Sequence, residues 1–219
     1  MDDPLRVTVA LVPLIVYALI LGALNLGKKP FLTTIARDTV ALGVALSGLM
    51  LIGPAELLAP EAAAARFGAF IWVMLATLYS LLVSLVVLMQ RPGLVIYNLS
   101  LDEFREPFLR VVQSLDPNPQ WAGNTLALPS LGIELHVESF PAMRNIKLSS
   151  VGDLQNLHGW RTLETTLASS LATLPVRSSP VGIGFMTLGI LLAIGLLIGL
   201  SANHETLVQE IEDFIRPTY

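Results

Sequence analysis

The chain has 219 residues, of which 53% are hydrophobic and only 14% are charged. An average soluble domain carries about 25% charged residues, so this composition, with a mean hydropathy of +0.68, excludes an ordinary cytosolic globular protein and any disordered or fibrous class. The absence of cysteine excludes disulfide scaffolds, thiolate metal sites and cysteine nucleophiles. A net charge of -4 leaves no basic excess for binding nucleic acid.

Four apolar stretches are each long enough to cross a bilayer. A hydrocarbon core of about 30 Å needs about 20 apolar residues in a helix, which hydrogen-bonds its own backbone internally. The predicted spans are residues 7–26, 39–58, 67–89 and 181–200. The second is uncharged only as far as Ala55, because Glu56 follows Gly53 and Pro54. We therefore expect the far end of this span to fray into the headgroup layer.

The spans divide the chain into four regions. Residues 1–90 form a three-helix transmembrane region, residues 91–180 a soluble α+β domain, residues 181–202 the fourth transmembrane helix and residues 203–219 a short amphipathic tail. The inserted stretch is long enough to fold as an independent unit. In the tail, Leu207, Ile211 and Phe214 recur at steps of four and three residues beside an acidic face, which favours docking on protein over anionic lipid.

The insert contains the periodicities of both strands and helices. Residues 94–97, 125–128, 133–138 and 144–149 are predicted strands. Ser100 and Glu103 form a capping-box signature for a first helix, and Pro107 indicates a later start or a bend within it. Apolar residues from Trp160 onward predict a second helix, which ends at Pro175. The simplest way to bury both helical stripes is a mainly antiparallel sheet with two helices covering one face.

Lysine and arginine near the span ends predict the orientation, because these cations are retained on the cytoplasmic side during insertion. One side carries six of them, namely Lys28, Lys29, Arg37, Arg91, Arg105 and Arg177, whereas the other carries Arg6, Arg66 and Arg216. We expect the first side to be cytoplasmic. The chain is then a multi-pass protein of the bacterial inner membrane with both termini outside.

No sequence motif names a reaction, since phosphate-binding loops, dinucleotide fingerprints and zinc-protease signatures are absent from the chain. The candidates for catalysis are Glu134, His136 and Glu138, which a strand places on one sheet face. Carboxylates and an imidazole can bind zinc or transfer protons. Parallel side chains of one strand rarely converge without help from another element, here Asp153 or His158. A solvated face without metal or cofactor is the preferred interpretation, and His204 is interpreted as a headgroup-level residue.

Small residues at four-residue spacing predict close helix packing in lipid. They are Ala76, Ser80 and Ser84 in the third span, Gly195 and Gly199 in the fourth, and Ala41 with Ala45 and Gly43 with Ser47 in the second. Packing within the bundle explains these residues as well as a homo-oligomer does.

These features favour a non-catalytic docking, scaffold or regulatory module that presents a small cytoplasmic domain to another membrane or cytoplasmic protein. The spans lack a charged pathway, and the insert lacks a converging set of reactive groups. One alternative is an accessory subunit of a transporter or channel, in which Glu56 lines a vestibule. The other is a membrane enzyme that uses Glu134, His136 and Glu138.

Overall fold

The computed structural model describes residues 4–53, 70–152 and 155–202. In chain order its elements are α1 (Pro4–Leu26), β1 (Phe31–Thr34), α2 (Ile35–Ile52), α3 (Phe70–Met89), β2 (Gly93–Tyr97), α4 (Leu101–Leu115), β3 (Gln120–Ala122), β4 (Thr125–Leu128), β5 (Ile133–Phe140), the 3₁₀ turn Pro141–Met143, β6 (Asn145–Ser150), α5 (Leu157–Ala172) and α6 (Pro180–Ala202). The chain divides into two compact units. The helix unit comprises Met1–Ile20, Val40–Val86 and Phe185–Tyr219, and the sheet unit comprises Leu21–Thr39 and Val87–Gly184.

Four helices of the described chain, α1, α2, α3 and α6, are long and apolar enough to cross a membrane, as the sequence predicts. Several predicted features lie outside the described residues. These are the far end of the second span with Glu56, the start of the third span with Arg66, the residue Asp153, and the tail 203–219 with His204 and Arg216.

The four helices present large apolar side chains on their outer surfaces. Val44, Leu81 and Leu197 are 63%, 63% and 65% exposed, and α3 buries none of its residues. Soluble proteins rarely expose contiguous apolar surface on this scale. A lipid environment accommodates such side chains, because hydrocarbon chains are as apolar as leucine.

Glycines permit close approach of the helices in the helix unit. A Cβ atom added at Gly48 would collide with the main-chain oxygens of Val9 and Ala10 on α1, and one added at Gly43 would lie 2.9 Å from Val83 on α3. The hydroxyl of Tyr79 also donates a 2.6 Å hydrogen bond to the oxygen of Gly43. The spacing of small residues predicted Gly43 as a packing residue but did not predict Gly48, because periodicity does not identify which residue faces a neighbouring backbone.

The packing residues predicted in α3 and α6 do not show the close contacts seen at Gly43 and Gly48. Ser80 donates its hydroxyl to the oxygen of Ala76, and Ser84 donates to that of Ser80, so these groups bond within their own helix. A Cβ atom added at Gly195 or Gly199 would meet no heavy atom within 4 Å. A packing role for these five residues stays a prediction.

The sheet unit contains a six-stranded antiparallel sheet in the order β1-β2-β6-β5-β4-β3. The sequence predicted β2, β4, β5 and β6, whereas β1 and β3 were not predicted. Because side chains alternate along each strand, one sheet face is apolar. Its residues form one buried cluster with residues of α4 and α5, including Leu94, Ile96, Leu126, Leu135, Ile146, Leu148, Phe104, Phe108, Leu163 and Leu167.

The capping box at the start of α4 is present as predicted. The Ser100 hydroxyl accepts a hydrogen bond from the Glu103 backbone N–H, and the Glu103 carboxylate accepts one from the Ser100 backbone N–H. Helix α4 therefore starts at Leu101 and runs through Pro107, instead of starting near Glu106. Pro107 costs the helix one backbone hydrogen bond. The free energy gained by burying Pro107 together with Phe104 and Phe108 exceeds that cost, so the helix continues through the proline.

One end of each apolar helix belongs to the sheet unit. The unit includes the last residues of α1 and α3 and the first residues of α2 and α6. Strand β1 ends at Thr34 and α2 begins at Ile35, without an intervening residue, and only three residues separate α3 from β2. Hydrogen bonds reinforce these joints: Tyr97 Oη to Asp38 Oδ1 at 2.5 Å, Gln90 Nε2 to Thr39 Oγ1 at 2.6 Å, Asn98 Nδ2 to Gly27 O at 2.8 Å, Ser179 N to Asn25 O at 2.9 Å and Val176 N to Lys28 O at 3.1 Å.

We predict that Gly48→Ala destabilises the helix unit by about 1 to 3 kcal/mol, because the added methyl group overpacks a contact with main-chain atoms. The matched control is Gly195→Ala, which adds the same methyl group to open space. Both exchanges raise helix propensity by about 1 kcal/mol. The measurement is the thermal unfolding midpoint in detergent, and equal midpoints for the two variants would contradict the contact at Gly48.

Candidate functional site

The sheet unit carries an open cleft of about 600 Å³, which we call the basic cleft. It lies where the start of α2, the segment between α3 and β2, and the start of α5 come together. Its lining residues are Thr34, Ala36, Arg37, Gln90, Arg91, Pro92, Gly93, Leu94, Leu157, His158, Trp160, Arg161 and Glu164. Positive charge dominates this surface.

Charged side chains of both signs line the basic cleft. Among the residues that the structure describes, Arg37, Arg91 and Arg161 are its basic lining residues and Glu164 is its acidic one. Arg37 Nη1 lies 3.0 Å from Glu164 Oε1, in a pair whose arginine side chain is 71% exposed. A pair as exposed as this one adds little to stability, and the guanidinium remains accessible to a ligand.

The start of α5 places two further polar groups at the basic cleft. The side chain of Asn156 caps the helix by accepting hydrogen bonds from the backbone N–H groups of His158 and Gly159, at 2.9 and 3.4 Å. Trp160 is buried, and its indole N–H donates to Gln155 Oε1 at 2.9 Å. These contacts hold the exposed His158 and Arg161 at the cleft. Guanidinium groups around an open cavity suit a phosphate or carboxylate ligand.

A second concave surface, of about 280 Å³, lies between α4 and the hairpin of β3 and β4, and we call it the aromatic groove. Phe104 and Phe108 are stacked with centroids 4.7 Å apart, and Phe108 meets Trp121 edge to face at 6.2 Å. Trp121 is 45% exposed. Leu101, Arg105, Leu109, Gly123, Asn124, Val137 and Ser139 complete the lining. The groove therefore offers apolar and aromatic surface with a cation at its edge.

A tight turn positions Trp121 at the aromatic groove. Gly123 and Asn124 form a two-residue connection between β3 and β4, and Gly123 has a φ of +62°. Glycine adopts this left-handed conformation without steric cost. The turn returns the chain so that Trp121 pairs with Leu126, which is fully buried.

Glu134, His136 and Glu138 lie along β5 on the sheet face opposite the core, as predicted. Both glutamates are exposed and His136 is half-buried. His136 Nδ1 lies 3.3 Å from Thr125 Oγ1, and Glu138 is in register with Lys147 of β6. Hydroxyl and ammonium groups in these positions serve cross-strand pairing.

The structure does not assemble these three side chains into a metal centre with a second element. No group of three or more histidine, aspartate or glutamate residues suited to a metal ion occurs among residues 4–53, 70–152 and 155–202. Of the two predicted helpers, Asp153 lies outside the described residues and His158 lines the basic cleft. A catalytic role for Glu134, His136 and Glu138 stays a prediction.

Two carboxylates of the sheet unit have a pKa below the usual value. Burial works to raise the pKa of Glu103, but hydrogen bonds from Ser100 and the Arg144 guanidinium, 2.7 Å away, lower it on balance. Burial likewise opposes ionisation of Asp116, whose pKa is lowered by the backbone N–H groups of Asn118 and Ser130. These hydrogen bonds measure 2.9 and 2.8 Å. Both carboxylates stabilise the fold in their ionised form.

Arg37 and Arg91 contributed only to the predicted orientation, and neither Arg161 nor Trp121 was predicted as a site residue. A local signal existed for Trp121, because the glycine and asparagine that follow it are typical of a hairpin turn. No local signal existed for the basic cleft. Its arginines come from three separate segments, and Arg37 and Glu164 are 127 positions apart.

We predict that acid destabilises the sheet unit through Glu103 and Asp116. Their pKa values are lowered in the folded state, so the unfolded state binds more protons at low pH. The stabilisation is complete above about pH 5 and is lost as pH falls through the folded-state values. Tryptophan fluorescence during thermal unfolding of detergent-purified protein at stepped pH measures this loss.

Asp116→Asn tests the carboxylate contribution directly. An amide cannot accept both backbone hydrogen bonds with its nitrogen in place of one oxygen, so we expect a lower unfolding midpoint at pH 7 and a weaker dependence on acid. Glu138→Gln removes the same charge at an exposed position and should change the unfolding free energy by less than about 0.5 kcal/mol. An Asp116→Asn variant as stable as Glu138→Gln would refute the role of Asp116.

Comparisons with known proteins assign no family to this arrangement. No family model matches the chain, and neither the curated proteins nor the solved structures include a match to it. What the molecule does is therefore inferred from the contacts, charges and exposure of its own residues.

Proposed function

We propose that the chain is a multi-pass protein of the bacterial inner membrane that holds the sheet unit at the cytoplasmic face as a non-catalytic docking and regulatory module. The observation that supports this proposal best is the direct construction of the sheet unit on the ends of four apolar helices. In this proposal the module is attached to the membrane through one end of each of the four helices, and a partner that binds the module acts on those ends.

The apolar surface of the helices supports membrane insertion. Each of α1, α2, α3 and α6 has the length and composition of a span. Exposed leucine and valine side chains on these helices would contact hydrocarbon in a bilayer, where their exposure costs nothing. All backbone groups within the helices can be satisfied internally, as hydrocarbon requires.

Basic residues of the sheet unit support its cytoplasmic location. Lys28 and Lys29 follow the end of α1 at Leu26, and Arg177 precedes the start of α6 by three residues. Arg37 and Arg91 lie equally close to the ends of α2 and α3. All five belong to the sheet unit. Short loops with this many cations are retained in the cytoplasm.

The aromatic groove is the docking surface in this proposal, and its ligand is an apolar or aromatic side chain of a partner protein. Exposed tryptophan in a preformed apolar depression is typical of residues that dominate binding energy. Arg105 at the edge of the groove favours a partner segment with an acidic residue beside its apolar anchor.

The sidedness can be tested by labelling, because the chain contains no cysteine. Gln113→Cys places one thiol on the exposed face of α4, and Ala202→Cys places one at the exposed end of α6. In cells with a permeabilised outer membrane, an impermeant maleimide should modify position 202 but modify position 113 only after lysis. The reverse pattern would invert the orientation. Recovery of the protein in the soluble fraction without detergent would refute membrane insertion.

Docking at the aromatic groove can be tested by photo-crosslinking in native membranes. Benzoylphenylalanine in place of Trp121 should give a discrete crosslinked product, and Arg105→Glu should reduce its yield by repelling the acidic segment of the partner. The control places the same crosslinker at Thr165, which is exposed on α5 outside the groove. Identical products from both positions, or none from position 121, would contradict docking at this surface.

A further inference from the structure

We propose that the basic cleft binds the phosphate group of an anionic phospholipid headgroup. This inference rests on the proposed function in one respect, namely that the four apolar helices cross the bilayer. It concerns a different surface from the aromatic groove, since the two share no lining residue.

The charge and shape of the basic cleft suit a phosphate diester. Its described lining residues include three arginines and one glutamate. Guanidinium groups bind phosphate oxygens through paired, charge-assisted hydrogen bonds. The volume of about 600 Å³ falls within the range of small-ligand sites. An anion with several acceptor oxygens can therefore contact more than one arginine at once.

Chain continuity places two of these arginines at headgroup depth. Arg37 lies in the first turn of α2, three residues before Val40 in the same helix. At a rise of about 1.5 Å per residue this is a distance of about 4.5 Å along the axis. Arg91 follows the end of α3 at Met89 by two residues. A lipid phosphate lies at this depth at high local concentration, whereas a soluble phosphate must arrive from the cytoplasm.

Glu164 limits the positive charge of the basic cleft. Its carboxylate pairs with Arg37 and is itself only 23% exposed, so it both orients that guanidinium and competes with an incoming anion. Replacing Glu164 by glutamine removes one negative charge from the lining while preserving a hydrogen-bond acceptor. This variant should bind anionic lipid more tightly, and a gain in binding cannot arise from misfolding.

The experiment is native mass spectrometry of the full chain in detergent, titrated with phosphatidylglycerol or with phosphatidylcholine. We expect one phosphatidylglycerol to bind more tightly than phosphatidylcholine. Arg91→Gln with Arg161→Gln should weaken that binding about 10- to 30-fold, and Glu164→Gln should tighten it about fivefold, at about 1 kcal/mol per charge near an anionic headgroup. The matched control is Lys28→Gln with Lys29→Gln, which removes two exposed charges next to the end of α1 and outside the cleft.

Three results would overturn the proposal. An equal loss in the double variant of Lys28 and Lys29 would show diffuse attraction to surface charge. Equal affinity for both lipids would show that the phosphate alone, without net negative charge, determines binding. Soluble glycerol phosphate that binds as tightly as the lipid, and is lost in the same cleft variants, would identify a soluble ligand. Failure of membrane insertion is seen separately, in the fractionation of the unaltered chain and in the labelling of its two single-cysteine variants.

Discussion

Backbone hydrogen bonding is the constraint on which the rest of this structure depends, and it is strictest in hydrocarbon. A segment that crosses a bilayer must bond each N–H and C=O group within itself, so it remains helical until it leaves the apolar layer. Beyond such a segment the backbone can pair with other segments. Strand β1 begins five residues after α1 and passes into α2 at Thr34 and Ile35 without a linker. The first strand of the sheet thus lies between two helices that are long and apolar enough to cross a membrane.

The joints between sheet and helices are polar, and several are buried. Asn98 is fully buried with a φ of 59°, a conformation that asparagine tolerates better than most residues, and its amide donates to the oxygen of Gly27. Gly93 packs so closely on Ile35 that a Cβ atom would collide there. These contacts connect the sheet to the ends of α1 and α2 within the sheet unit.

The two concave surfaces of the sheet unit differ in chemistry and therefore in the partners they suit. The basic cleft is lined by charged side chains that lie close in sequence to the ends of α2 and α3. The aromatic groove is built from the core side chains Phe104 and Phe108 and from Trp121 at an edge strand. Under the proposals above, the first surface suits an anionic headgroup and the second suits an apolar side chain of a partner protein.

Local patterns in the sequence specified the elements whose causes are local. Span length follows from bilayer thickness, the start of α4 follows from the pairing of Ser100 with Glu103, and the alternation of β5 follows from the strand repeat. Long-range packing decided the rest. Folding pairs Phe31 with Tyr97 and brings Arg37 to Glu164. The packed helices also place Gly48, but not Gly195, against a neighbouring backbone. Periodicity describes one segment at a time, whereas a cleft or a helix contact depends on which segments become neighbours.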